Sequence, residues 1–134
     1  VKPIILSDVD GVLNRSNQSW EFEPVKEWRQ FMTLLNSMGY EIVLWSGGGA
    51  KWAEWHANKL GVAHFVTRYF DKFPYLEATV EQVRGLLGAV PVMQIDDDVT
   101  EAIQGIPFHH WMWPQNQAPK RARDGDKYNP SIGK

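Results

Sequence analysis

Short apolar runs alternate along this chain with longer stretches in which apolar residues recur every three or four positions. Ile4-Ile5-Leu6 is the first run, short and unbroken by polar residues, as in a strand covered on both faces. Residues 14–23 are largely polar around Trp20 and Phe22 and read as an exposed loop or short hairpin. Pro24 stands where a helix takes its first residue; Val25, Trp28, Phe31, Leu35 and Met38 mark one helical face, and Gly39 stops it. A second buried strand is expected over residues 41–45, closed by Ser46-Gly47-Gly48-Gly49. The next helix covers residues 50–60, with Trp52, Trp55 or His56, and Leu60 facing inward and Gly61 ending it. Residues 64–67 suit a third strand and 71–74 a loop or helical turn. Leu76, Val80, Val83 and Leu87 then form the apolar face of a helix ending at Gly88. A strand over 90–95 delivers Asp96-Asp97-Asp98, a short helical piece follows near 100–103, and residues 108–111 suit a fifth strand. Beyond Pro114 the chain has Pro119, Gly125, Pro130 and Gly133 with little apolar periodicity, which marks an irregular tail.

This alternation implies an α/β fold with a mainly parallel sheet and right-handed crossovers. The length of 134 residues suits one domain, taken as residues 1–113, followed by the tail 114–134. That tail holds five basic residues against two acids, so its net charge is +3 and the rest of the chain carries −5. A solvated tail and a phosphate-binding arm both fit this charge. The overall balance of −2 argues against broad nonspecific binding to nucleic acid. With no cysteine, disulfides, thiolate metal sites and cysteine nucleophiles are excluded. No basic segment followed by a long apolar run opens the sequence, and no apolar stretch nears the roughly 20 residues that cross a bilayer. The expectation is a soluble, cytoplasmic protein without membrane contact. Most of the seven tryptophans are expected to be packing residues.

In an open parallel sheet, ligands bind outside the carboxyl ends of the strands. Three polar clusters fall there: Asp8 and Asp10, Ser46 and Gly47, and Asp96, Asp97 and Asp98. Asp-x-Asp-Gly on its own is also an ordinary turn, and a glycine run a flexible one. Four or five carboxylates on one rim, however, repel one another unless a cation neutralises them. Oxygen-only ligands favour Mg²⁺, a hard ion that takes one or two carboxylates together with phosphate oxygens. Ser46 and the backbone N–H groups of the glycine turn could hold such oxygens, and Lys72 would complete the charge balance. One carboxylate of the Asp8 and Asp10 pair could attack or bind metal while the other handles a proton, Gly11 permitting the turn between these jobs.

The ordered set Asp8-Val9-Asp10-Gly11-Val12, Ser46-Gly47, Lys72 and Asp96-Asp97 resembles that of the haloacid dehalogenase-like (HAD) hydrolase superfamily. The resemblance implies a Rossmann-like three-layer sandwich and phosphoryl transfer through an aspartyl-phosphate, here in a phosphatase. Carried over by position, Asp8 is the nucleophile and Asp10 the general acid/base. Ser46 and the Gly47 N–H bind the phosphoryl oxygens, and Lys72 neutralises the intermediate. Mg²⁺ is held by Asp8, the backbone carbonyl of Asp10 and an acid of the last cluster. Asp96 is the preferred direct ligand and Asp97 has a water-mediated or orienting role. Three successive acids leave a one-residue ambiguity, with Asp98 alternatively capping the short helix after it.

Little room for a cap domain exists between Asp10 and Ser46 or between Ser46 and Lys72, so the chain is similar to the small type with a minimal cap or none. Within that type, an open site suits a large substrate, and a nucleotide or nucleic-acid terminal phosphate is the first choice of partner. Trp20 could stack on a base, or it could cover the sheet edge together with Phe22. The alternatives are a small-metabolite phosphatase whose site is closed by an oligomeric neighbour, and a noncatalytic binding module that keeps the fold. His56, His64, His109 and His110 lack helical zinc spacing and read as structural or surface residues. Arg15 and Arg68 lie close enough in sequence to the motifs to meet a substrate phosphate or to form surface ion pairs.

Overall fold

A computed structural model describes residues 2–14 and 25–111. Arg15, Trp20, Phe22, Pro24 and the tail after Pro114 therefore lie outside the described residues. Each apolar run forms a strand: β1 Ile4–Ser7, β2 Glu41–Ser46, β3 Val66–Asp71, β4 Met93–Asp96 and β5 Phe108–His110. Between them stand helices α1 Lys26–Ser37, α2 Ala50–Leu60 and α3 Val80–Leu87. All strand pairs are parallel, and the sheet order is β3-β2-β1-β4-β5. The chain first builds outward from β1 through β2 to β3, then returns to add β4 on the other side. The order therefore reverses between β1 and β4, the crevice where open α/β sheets bind ligands.

Because side chains alternate across a strand, the two faces collect different residues. Ile5, Ile42, Leu44 and Ile95 pack with α1 and α2 through Trp28, Met32, Leu35, Ala53, Ala57 and Leu60. Ile4, Leu6, Val43 and Trp45 pack on the opposite face with Val83 and Leu87 of α3. These are the three layers, and no cap domain interrupts them among the described residues. No helix among those residues is long and apolar enough to cross a membrane.

Several expected positions shift. The buried residues of α1 are Trp28, Met32 and Leu35, so Met32 takes the place expected of Phe31, and Met38 is 61% exposed, because it falls beyond the helical turns that face the sheet. In α2 the inward residues are Ala53, His56, Ala57 and Leu60, and Trp55 is 42% exposed. The two alanines let the helix lie close on the sheet, which leaves no depth beneath it for a second large indole. Residues 63–65 form a 3-10 turn, so the third strand starts later and runs to Asp71. As an edge strand it tolerates the polar residues Thr67 and Arg68, and Arg68 pairs with Glu41 at 2.9 Å. Leu76 belongs to the turn region before α3, which starts at Val80 behind a capping box of Thr79 and Gln82. Pro91 has no N–H to give a ladder, and β4 accordingly begins at Met93 rather than residue 90. The short helical piece is a 3-10 turn over Val99–Glu101.

Candidate active site

The chain leaves β1 still in the ladder, since the Asp8 N–H donates to the Ile95 carbonyl at 2.9 Å. It then coils tightly: the Val12 and Asn14 N–H groups both donate to the Val9 carbonyl at 3.1 Å, and Gly11 N–H donates to the Asn14 carbonyl at 2.7 Å. Val9, Val12 and Leu13 pin this coil into the core. Gly11 has φ +83, and a Cβ there would stand 2.0 Å from Asp97 Oδ2. Only glycine supplies that dihedral at low cost and also lets the carboxylate approach so closely.

Lys72 follows β3 directly, its N–H donating to the Ser46 carbonyl at 2.9 Å. Its Nζ reaches Asp8 Oδ1 at 2.7 Å, Asp96 Oδ2 at 2.9 Å and Glu101 Oε1 at 2.8 Å. Lys72, Asp8 and Asp96 are buried, while the Glu101 side chain keeps 20% of its surface exposed. Asp8, Asp96 and Asp97 have carboxylate oxygens that lie within 4.8 Å of one another. Four carboxylates thus face one lysine, a formal surplus of three negative charges when all are ionised. Buried like charges at this range are strongly unfavourable without a further cation. An oxygen-only donor set with that surplus fits a hard divalent ion such as Mg²⁺.

Asp98 is turned to another task. Its carboxylate accepts from the Thr100 N–H at 3.0 Å and the Thr100 hydroxyl at 2.6 Å, capping the 3-10 turn. Its own N–H donates to Asp96 Oδ1 at 3.0 Å and so helps to orient Asp96.

Asp10 is held from the side of α2. The Trp52 indole N–H lies 3.1 Å from Asp10 Oδ2 and 3.3 Å from Oδ1, and Asn14 Nδ2 donates to Oδ1 at 3.4 Å. His56 sits behind them, with Nδ1 2.9 Å from the Trp52 carbonyl and Nε2 3.4 Å from Asn14 Nδ2. Burial pushes the His56 pKa below 6.5, although the bond to the Trp52 carbonyl and the Asp10 charge pull it up. A neutral ring with its proton on Nδ1 satisfies both contacts, donating to the carbonyl and accepting from Asn14.

Ser46 ends β2 next to β1 and is buried; its Oγ accepts from the Gly48 N–H at 3.0 Å, which leaves its own proton to donate. Gly47 is exposed in the turn that opens α2. The sequence motifs thus meet at the carboxyl edge of the sheet, with Asp8, Asp96, Asp97 and Lys72 in one group and Asp10 in the adjoining network. Four residues around them were not among the sequence candidates: Glu101, Asn14, Trp52 and His56. Asn14 and Glu101 stand within five residues of a motif acid, whereas Trp52 and His56 reach Asp10 and Asn14 from helix α2, 42 positions away.

A parallel three-layer sheet with paired acids at its switch point has the architecture expected from the HAD resemblance. No family model matches the chain, and no curated protein is similar to it. Among solved structures, it is similar to the cobalt-bound deoxy-D-mannose-octulosonate 8-phosphate phosphatase (YrbI) of Haemophilus influenzae. That likeness has 17% identity and a TM-score of 0.53, and it covers 75% of this chain and 61% of the phosphatase. A haloacid dehalogenase-like family hydrolase of Streptococcus pneumoniae matches at 12% identity and a TM-score of 0.46, over 75% of this chain and 78% of that one. The likeness to the Haemophilus phosphatase bears out the α/β, Rossmann-like fold.

Proposed function

We propose that this chain is a Mg²⁺-dependent phosphomonoester hydrolase that works through an aspartyl-phosphate on Asp8. Its substrate class is a nucleotide or nucleic-acid terminal phosphate, its catalytic unit is residues 1–113, and residues 114–134 are a basic tail. The observation that carries this reading is Lys72, a buried cation bonded to Asp8, Asp96 and Glu101 beside a third buried carboxylate, Asp97. A merely structural site gains little from so many desolvated acids. One that receives a metal and a phosphoryl group needs both the acids and the lysine. The fold shared with a solved phosphatase supports the same class of reaction.

In this reading Asp8 attacks phosphorus, the bond from phosphorus to the ester oxygen breaks, and Asp10 gives its proton to the leaving oxygen. Asp10 then takes a proton from the water that attacks the acyl phosphate, which releases inorganic phosphate and restores Asp8. Trp52 and Asn14 hold the Asp10 carboxylate for both transfers. Lys72 fixes Asp8 and offsets its charge as the phosphoryl group arrives. Ser46 and the Gly47 N–H bind phosphoryl oxygens. Asp8, Asp96, Asp97 and the Asp10 carbonyl would hold Mg²⁺, which supplies neutralisation of the phosphoryl oxygens. The absence of cysteine suits a cytoplasmic setting.

Phosphate release from mononucleotides, sugar phosphates and 3′- or 5′-phosphorylated oligonucleotides, with Mg²⁺ or a chelator, tests this. Mg²⁺-dependent release that is lost in Asp8→Asn is the expected result. Faster turnover of small metabolites than of oligonucleotides would overturn the substrate class. Release by Asp8→Asn at the unsubstituted rate would overturn the mechanism, and none from any substrate would favour a noncatalytic module.

A further inference from the structure

Helix α2 carries a stripe that starts at Trp52, which holds Asp10, and continues through two residues that the proposed chemistry does not use, Trp55 and Lys59. Trp52, Trp55 and Lys59 follow one another at three and four positions, so they line one side of the helix. The stripe begins at the site, where the Trp52 indole N–H bonds Asp10. Trp55 stacks on Trp52 with ring centroids 5.6 Å apart and planes 7° from parallel. Lys59 Nζ lies 5.5 Å from the Trp55 ring centroid. From Trp52 to Lys59 the helix rises about 10 Å, a length that covers more than one nucleotide.

At its far end the stripe runs into a shallow concavity of about 210 Å³ lined by Lys26, Arg29, Lys59 and Leu60. Three cations and no acid line it, and none of the three has an ion-pair partner among the described residues. This contrasts with Arg68 and Lys72, which are both paired with carboxylates. Trp55, 42% exposed between the Asp10 network and a cationic hollow, is stacked by Trp52 and covered by the mobile ammonium of Lys59. A base stacks there as Lys59 turns to a backbone phosphate, which joins the two components that hold single strands, a flat ring and positive charge. A duplex has no unstacked base to offer the ring, and a free metabolite does not reach the hollow.

We infer that this stripe and hollow form a track for single-stranded nucleic acid, Trp55 taking a base and Lys26, Arg29 and Lys59 the backbone phosphates behind the terminal one. The inference rests on the hydrolase reading for its direction of travel, since the terminal phosphate is the end that meets Asp8.

The test uses the full chain and an unphosphorylated single-stranded oligonucleotide about ten nucleotides long, whose binding requires no chemistry. The expected result is binding whose logarithm falls with log salt at a slope of about −2, from three phosphate contacts at roughly 0.7 each. Lys26→Glu/Arg29→Glu/Lys59→Glu should abolish most of that slope, and Trp55→Ala should weaken binding about tenfold while the fold, followed by circular dichroism, is kept. No binding by the unsubstituted chain, or equal binding by these variants, overturns the track. Phosphate release by the unsubstituted chain from the panel of mononucleotides, sugar phosphates and terminally phosphorylated oligonucleotides, run in parallel, reads the hydrolase proposal separately. Release without oligonucleotide binding sinks the track alone, and binding without release sinks the hydrolase reading while supporting the track.

Discussion

Replacing Lys72 by methionine keeps most of the buried stem and removes the charge. The substitution deletes three bonds of 2.7, 2.9 and 2.8 Å and raises the formal surplus around the site from three negative charges to four. Taking one partner out of a buried ion pair typically costs about 3–5 kcal/mol, because the remaining charge stays desolvated. Glu101 keeps 20% of its side-chain surface exposed and can turn toward water, whereas Asp8 and Asp96 cannot. The lower end of the range, about 3 kcal/mol, is therefore expected. Against a total stability of about 5–15 kcal/mol this is a large share, and in a domain of this size it lowers Tm by about 10 °C. The assay is thermal and urea unfolding in chelator, followed by a Mg²⁺ titration. Added Mg²⁺ should stabilise Lys72→Met by more than it stabilises the unsubstituted chain, since the ion meets one more uncompensated charge. A variant that melts within about 2 °C of the unsubstituted chain in chelator, with no extra gain from Mg²⁺, would refute the charge argument.

Other substitutions probe the surrounding contacts. Gly11→Ala should cost about 1–2 kcal/mol for its φ of +83 alone, and should raise the Mg²⁺ concentration needed for activity, because a Cβ would displace Asp97. Urea midpoints and a Mg²⁺ titration of turnover check both effects. Trp52→Phe keeps a ring but removes the donor to Asp10, so kcat should fall about tenfold with KM little changed; an unchanged kcat would count against the positioning role. His56 has a folded-state pKa lowered chiefly by burial, so its contribution to stability is complete above about pH 6.5 and is lost as pH falls through the folded value. Urea midpoints should therefore decline on acidification below about pH 6.5, and His56→Gln should flatten that decline.

The strands and the acids at their ends were legible because both depend on local pattern. Ile4-Ile5-Leu6 before Asp8 is an apolar run that must be buried, and the largely apolar segment 90–95 before Asp96 contributes β4 from Met93 on, so the polar residues after both emerge at a common edge. Lys72 was legible from its place in an ordered motif, although its strand was expected to end earlier, at residue 67 rather than Asp71. On the inward face of α2 the sequence pattern finds Leu60 and, of its two alternatives at that turn, His56 rather than Trp55, but not the small residues Ala53 and Ala57. There, the sheet admits Ala53 and Ala57 and leaves Trp55 at the surface. Trp52 and Glu101 were not legible as site residues, because their partners Asp10 and Lys72 lie 42 and 29 positions away. Nothing in a local pattern specifies such a meeting; the crossover of α2 and the turn after β4 do. The sequence leaves a one-residue ambiguity among Asp96, Asp97 and Asp98; in three dimensions Asp98 caps the turn at Thr100, and the carboxylate oxygens of Asp96 and Asp97 lie with those of Asp8.

The central claim is covalent chemistry at Asp8, and the most direct measurement looks for the bond itself. The chain is mixed with a phosphorylated oligonucleotide and Mg²⁺, quenched in acid within a single turnover, digested and mapped by mass spectrometry. A phosphoryl group on the peptide containing Asp8, forming before free phosphate appears and absent from Asp8→Asn, is the predicted result. Phosphate release at full rate with no adduct on that peptide at any quench time would contradict it.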